Sequence, residues 1–341
     1  MIRLFAGRTA NEVWRASARE LLQPSSQLAL NPLDGGSREL HHVAVSIEEP
    51  RQRWVFAREP AINPAFALAE VVWILRGRND AAFLTAWNRS LPKYAGDDAS
   101  FHGAYGYRLR AHFGLDQLSR AAAALSSSSA SRQIVLQLWD PRIDLPLEDG
   151  KPRAKDIPCN VLACLKVVGQ RLEWFQVIRS NDVFLGLPYN LIQWTCLQEV
   201  LAGWIGLEVG SYNQISDSLH LYNRDLRTVQ ASFEGDAENS DSIAMPRPES
   251  EDAMRRLEDC IQRLVAHGVS VVPQVLETMG LVPALRNWLT VFCAEQYRRA
   301  HLADMALAAI SECTNPALVL AWTRWNARTS SPAHLRSDED Q

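Results

Sequence analysis

The sequence predicts an α/β (α+β) protein: a mixed sheet covered by helices, with an additional C-terminal helical region. Three observations carry this reading. Runs rich in β-branched and aromatic residues (133–139, 161–168, 172–177) alternate along the chain with runs of helical period (10–22, 66–76, 118–125, 191–205). Beyond residue 253 the pattern is helical throughout. With 47% hydrophobic and 22% charged residues in a chain of 341, a sizeable core is expected of an ordinary globular protein.

The elements follow in order. Residues 10–22 have helical periodicity, and Pro24-Ser25-Ser26 and Asn31-Pro32-Leu33-Asp34-Gly35-Gly36 punctuate the loop after them. A strand is expected at 39–48. The segment 66–76 is apolar on several faces and carries one carboxylate, Glu70, which predicts a buried helix. Four serines, 126–129, end the helix at 118–125. The strands at 161–168 and 172–177 form a hairpin turning at Gly169-Gln170, and their continuous apolar character predicts a sheet covered on both faces. A helix over 191–205 and a short strand over 211–216 lead into His220-Leu221-Tyr222. We assign residues 1–235 to a catalytic domain, 236–252 to an exposed loop, 253–329 to a helical extension packed on that domain, and 330–341 to a disordered tail.

Composition excludes several function classes. A net charge of −4 argues against a nucleic-acid surface, where basic excess supplies nonspecific affinity. The six cysteines (159, 164, 196, 260, 293, 313) show no CxxC spacing, so neither a zinc site nor a disulfide framework is expected. His41-His42 lacks metal spacing and Gly35-Gly36 has no phosphate-loop continuation. The first residues lack a long apolar stretch, and no apolar run reaches about eighteen residues. This predicts a cytoplasmic protein.

Chemistry concentrates in two segments. Cys159, within Asp156-Ile157-Pro158-Cys159-Asn160, precedes by twenty residues the block Arg179-Ser180-Asn181-Asp182-Val183-Phe184-Leu185-Gly186-Leu187-Pro188-Tyr189-Asn190. A cysteine becomes nucleophilic where cationic groups favour its thiolate, and Arg179 lies across the predicted hairpin. Around these stand Glu70 in Ala69-Glu70-Val71-Val72-Trp73, Tyr105-Gly106, Ser131-Arg132 and His220-Leu221-Tyr222.

Over roughly residues 66–224 this ordered set resembles the thymidylate synthase family, a resemblance that covers more than the nucleophile alone. It implies that Cys159 attacks C6 of a pyrimidine nucleotide, so that C5 takes a one-carbon unit from methylenetetrahydrofolate. Arg132, Arg179 and Ser180 would hold the 5′-phosphate, since forked guanidinium donors match phosphate oxygens. Arg132 would come from the partner subunit of a homodimer. Asn190 would read N3 and O4 of uracil, and His220 and Tyr222 would reach the sugar hydroxyl. Glu70 would organise proton transfer near O4 and the folate nitrogen, Tyr105 would help remove the C5 proton, and Asp182 and Gly186 would receive the pterin.

The chain departs from the family pattern at several places. Asn160 follows the nucleophile where histidine is usual, and Gln133 follows Arg132 where a second arginine is usual. Ser37-Arg38-Glu39 is the candidate replacement for an arginine-rich phosphate loop. In place of the family's C-terminal closing segment stands the helical extension. A looser seal would let water add to the reacting carbon and give a 5-hydroxymethyl product. The expected function is therefore C5 one-carbon transfer to a uridylate-type nucleotide such as dUMP. The alternatives are hydroxymethylation of dUMP, UMP, CMP or dCMP, or a non-catalytic nucleotide-binding regulatory homologue. No membrane or nucleic-acid partner is expected.

Overall fold

A computed structural model describes residues 2–23, 27–29, 36–230 and 233–330. The loop signals at 24–26 and 31–35 and the tail at 331–341 lie outside the described residues. The strands are β1 (Arg3–Gly7), β2 (Gln27–Ala29), β3 (Ser37–Ile47), β4 (Val135–Gln137), β5 (Asn160–Val168), β6 (Arg171–Asp182) and β7 (Glu208–Tyr222). They form one mixed sheet in the order β1-β3-β7-β6-β5-β4, with β2 beside the first part of β3. β5 and β6 are the expected antiparallel hairpin, whereas β6 and β7 run parallel. That parallel step needs a crossover, and the intervening helix Leu187–Trp204 supplies it.

The longer helices are α1 (Ala10–Leu22), α2 (Pro64–Leu75), α3 (Gln117–Ser127), α4 (Leu187–Trp204), α5 (Arg247–His267), α6 (Pro283–Arg299), α7 (Ala303–Ser311) and α8 (Pro316–Ser330). Local chemistry fixes their starts. Thr9 caps α1 by accepting from the Glu12 amide, and Asn63 caps α2 by accepting from Phe66, with Pro64 at the first helical position. α4 packs on β6 and β7, α2 packs on α4, and α6 and α8 pack on the far side of α2. This sandwich explains why α2 and α4 are apolar all round. No helix among the described residues is long and apolar enough to cross a membrane.

Four expectations need correction. The sheet is not covered on both faces: β6 buries Leu172, Trp174, Gln176 and Ile178 but leaves Phe175 42% exposed, and Val135 and Val168 are exposed as well. Among the described residues no helix covers these apolar side chains on the outer face. β4 is shorter than 133–139: it spans Val135–Gln137, and beyond it the Leu138 and Trp139 amides both donate to the Val161 carbonyl, which breaks the regular ladder. β7 continues to Tyr222, since 218–222 pair with β3 on one side and Ser180–Asp182 on the other. Lastly, residues 247–252 begin α5, and Ile243 and Met245 in the preceding segment are buried. The polar composition of that segment reflects pinned side chains, among them Asn239 and Asp241, both bonded to Asn315.

Candidate active site

Cys159 stands immediately before β5, on a loop held from the neighbouring strand. Arg179 donates through Nε to the Pro158 carbonyl (2.9 Å) and through Nη2 to the Ile157 carbonyl (3.0 Å), and its backbone N–H donates to Cys159 O (2.9 Å). Its guanidinium also lies over the Trp139 ring. Arg179 thus sits across the hairpin from Cys159, with Nη1 left unbonded among the described residues. Burial pushes the Cys159 thiol above its ordinary range, Arg179 opposes this, and Asp156 and Asp182 reinforce it. The net direction is upward, contrary to the expectation that Arg179 alone would leave a thiolate.

Tyr105 approaches from a segment wedged against α2. A Cβ on Gly106 would fall 2.5 Å from the Ile74 carbonyl oxygen, so only glycine permits this approach. Arg108 anchors the segment from below: nearly fully buried, it makes a two-pronged pair with Asp144 (2.5 and 2.9 Å) and donates to Leu138 O. The Tyr105 ring packs on Trp194, and its hydroxyl lies against the Cys159 backbone and the Asn160 side chain. Burial, then the neighbouring Cys159 and Asp156, hold the phenol above its usual pKa.

α4 presents Asn190 and Gln193, three residues apart and therefore on one face. Glu70 meets that face from α2, next to Gln193. Its Oε2 is buried without a hydrogen-bond partner among the described residues, as is Gln193 Oε1. Burial raises the Glu70 pKa to about 8, with the Gln193 amide opposing, so its carboxyl is largely protonated at neutral pH.

Asn160 and Asn190 are joined. Asn160 Nδ2 donates to Asn190 Oδ1 (3.3 Å), Asn190 Nδ2 donates to Asn181 Oδ1 (3.1 Å), and Asn181 Nδ2 donates to Ser216 Oγ (3.1 Å). Upstream, Gln176 Nε2 donates to Asn160 Oδ1 (3.0 Å). The sequence reading gave neither Asn181 nor Gln176 a role. The available signal was an amide at an inward position of a strand whose neighbours are apolar.

The remaining predicted residues fall in three places. Asp182, at the end of β6, turns the chain into α4 by accepting from the Phe184 and Leu185 amides through Oδ1, while Oδ2 is buried and unpaired among the described residues. Gly186 precedes α4 and donates to Asp182 O. Ser180, His220 and Tyr222 share the β6–β7 end: Ser180 pairs with Ser218, Asp182 with His220, and the His220 and Tyr222 rings meet edge to face. Arg132 is exposed before β4 and bonds to none of these groups among the described residues. Ser37-Arg38-Glu39 is not a phosphate loop. It is the strand paired with Tyr222-Leu221-His220, and Arg38 caps α1 by donating to the Leu21 and Leu22 carbonyls.

Residues 59–262 match the Thymidylate synthase family. Three phage proteins called deoxyuridylate hydroxymethyltransferase are similar to the chain: 32% identical over 229 residues in Bacillus phage SP01, 37% over 182 in Pseudomonas phage M6, and 30% over 196 in Delftia phage PhiW-14. These alignments cover 64%, 53% and 55% of this chain and 58%, 50% and 54% of those proteins, so the chain spans little more than half the length of the relatives it matches. A match over more than half of the chain, falling on strands β4 to β7 and on α2 and α4, which carry or border Cys159, Tyr105, Glu70 and Asn190, shows that this chain belongs to the thymidylate synthase family.

Proposed function

We propose that the protein transfers a one-carbon unit from methylenetetrahydrofolate to C5 of a uridylate-type nucleotide, with 5-hydroxymethyl-dUMP as the product. The observation that carries this reading is one continuous polar unit: the Tyr105 hydroxyl lies against Cys159 and Asn160, and Asn160 bonds to Asn190. The names of the three phage relatives support the hydroxymethyl product and the deoxyuridylate substrate.

Cys159 adds to C6 and makes C5 nucleophilic; loss of the C5 proton then expels the folate nitrogen and leaves an exocyclic methylene on C5, and Cys159 leaves C6 when water adds to that methylene. Burial raises the thiol pKa, and Arg179 is the cation that opposes this rise and favours the thiolate. Tyr105, a neutral phenol, helps remove the C5 proton by orienting the water that takes it, and Glu70 holds a proton near O4 at neutral pH. Water adding to the substrate's exocyclic methylene supplies the hydroxyl oxygen. Asn190 pairs with N3 and O4, Arg179 and Ser180 hold phosphate with the partner's Arg132, and His220 and Tyr222 bind the sugar.

The residues present fit a folate. Asp182 Oδ2 and Glu70 Oε2 are buried acceptor oxygens lacking a donor among the described residues, and a pterin brings N–H donors. Gly186 leaves room beside Asp182. The folate, when bound, supplies the one-carbon unit.

The open sheet face bearing Phe175 and Val135 supports a homodimer formed through it, with Arg132 close in sequence to β4. An Arg132 variant mixed with a Cys159 variant, each inactive alone, then regains partial activity; no recovery after demonstrated subunit exchange overturns the shared site.

The main test is release of tritium from 5-labelled dUMP, UMP, dCMP and CMP, with and without methylenetetrahydrofolate. Release from dUMP, loss of release in Cys159→Ala, and a hydroxymethyl product mass are expected. No release from any nucleotide in a folded sample sinks the enzyme reading, and a methyl product with dihydrofolate replaces hydroxymethylation by methylation.

A further inference from the structure

The amide chain through Asn190 continues beyond Asn160 to a group that can only donate. Trp174 Nε1 donates to Gln176 Oε1 (3.0 Å), which turns Gln176 Nε2 toward Asn160 Oδ1 (3.0 Å). Each later link inherits this direction: Asn160 must offer Nδ2 to Asn190 Oδ1, and Asn190 must offer Nδ2 to Asn181 Oδ1. Trp174, Gln176, Asn160 and Asn181 are all at most 1% exposed, so water cannot substitute for a wrongly turned amide.

The other end imposes no direction. Asn181 donates to Ser216 Oγ, which also accepts from Gln214 Nε2, and Gln214 Oε1 accepts from the Tyr212 hydroxyl. Hydroxyls donate or accept by rotating, so this end tolerates either sense of the chain. An indole N–H cannot accept. If Asn190 turned over alone, its Nδ2 would face Asn160 Nδ2 and its Oδ1 would face Asn181 Oδ1, leaving two buried conflicts. If all four amides turned together, Gln176 would set its own NH2 against the Trp174 N–H.

We propose that Trp174, on β6 and away from the substrate atoms, is a positioning residue that locks the direction of the Gln176–Asn160–Asn190–Asn181 relay and thereby makes the base site choose between uracil and cytosine. Asn190 keeps one N–H and one oxygen lone pair outside the relay. Uracil presents a donor at N3 and an acceptor at O4, whereas cytosine presents the reverse, so the two bases demand opposite senses of this amide. The inference rests on the assignment of Asn190 to the base edge.

The test compares dUMP with dCMP in the full chain, by kcat/KM for tritium release and by calorimetric binding of each nucleotide. Trp174→Phe removes the donor and keeps an aromatic ring; the dUMP:dCMP ratio should fall at least tenfold, through improved handling of dCMP. Gln176→Met cuts the same link by a second route and should relax the ratio likewise, which keeps the test decisive if one variant fails to fold. Trp194→Phe is the packing control. It makes the same size change beside Trp174, but its indole nitrogen has no partner among the described residues. Whatever it does to turnover, it should leave the ratio alone.

An unchanged ratio in a folded Trp174→Phe or Gln176→Met protein overturns the proposal, as does an equal shift in Trp194→Phe. If the parent binds dUMP without releasing tritium, the catalytic reading fails and the ratio of dissociation constants still decides the relay. If the parent binds neither nucleotide, the base-edge assignment fails and the inference falls with it.

Discussion

Glu70 and Glu295 are two glutamates on neighbouring helices, α2 and α6, whose pKa values are moved in opposite directions by their surroundings. Burial alone raises the pKa of each. Around Glu295, Arg298 donates to both oxygens (2.7 and 2.8 Å), Arg299 donates to Oε1 (2.7 Å) and Trp325 donates to Oε2 (3.1 Å), and the pKa is held below its ordinary value. Around Glu70 only the Gln193 amide opposes burial, one oxygen has no partner among the described residues, and the pKa rises to about 8. Arg299 also reaches the Trp87 carbonyl, so Glu295 organises a latch between α6 and the chain leading out of α2. Under the proposed function, the contrast separates a carboxylate satisfied for structure from a carboxyl left partly unsatisfied for chemistry.

Exchanging each carboxyl for an amide tests the contrast. Glu70→Gln should lower kcat for tritium release by about 10²- to 10⁴-fold, with a melting temperature close to the parent's only in acid, near pH 4, and above the parent's at neutral pH. In the parent, the protonated carboxyl is the active form, so activity falls as pH rises through about 8. Stability carries the same signature. The folded state holds this proton more tightly than the unfolded chain, whose glutamates titrate near pH 4.3. Stability therefore declines as pH rises from about 4.3 through about 8, and Glu70→Gln removes that slope. A Glu70→Gln protein with parental turnover would erase the functional half of the comparison.

Glu295→Gln should do the converse, lowering unfolding free energy by about 2–4 kcal/mol in urea titrations with turnover retained. Its linkage runs the other way: the depressed pKa stabilises the fold above the unfolded value near pH 4.3, and the benefit disappears as pH falls through the folded pKa. Loss of turnover without loss of stability would show that the latch takes part in chemistry. The smallest effect is Trp325→Phe, which removes one neutral donor from Glu295 and should cost about 1 kcal/mol by the same titration. A larger loss would mean that Trp325 packing, rather than its hydrogen bond, dominates.

Much of the fold was legible because it rests on local signals. The bounds of α1 follow from Thr9 and a clean helical period, and the β5–β6 hairpin follows from Gly169, whose φ of 62° suits glycine. Glu70 was visible as the one carboxylate in an apolar run. Less local facts were hidden. Which amides meet depends on strand register: Asn160, Gln176 and Ser216 come from three strands, and no spacing along the chain announces their line. The reading of Arg38 failed for the same reason, because the α1 carbonyls that it caps become its neighbours only once β3 joins the sheet. The net direction of the Cys159 pKa depends on burial and on Asp156 and Asp182, which the spacing to Arg179 does not report.

The irregular segment before α5 has the composition of a linker, yet it behaves as mortar. Asn239 exchanges two hydrogen bonds with Gln52, Asp241 is gripped by Asn287 and Asn315, and Ser242 and Ile243 both donate to Glu199 on α4. Glu199 also pairs with the buried Arg53. Since Asn315 and Glu199 are almost wholly enclosed, their partners cannot be exchanged for water without opening the protein. Insertions that such a composition would ordinarily tolerate therefore have no slack to occupy here, and the polar stretch marks a seam in the sequence without marking a joint in the molecule.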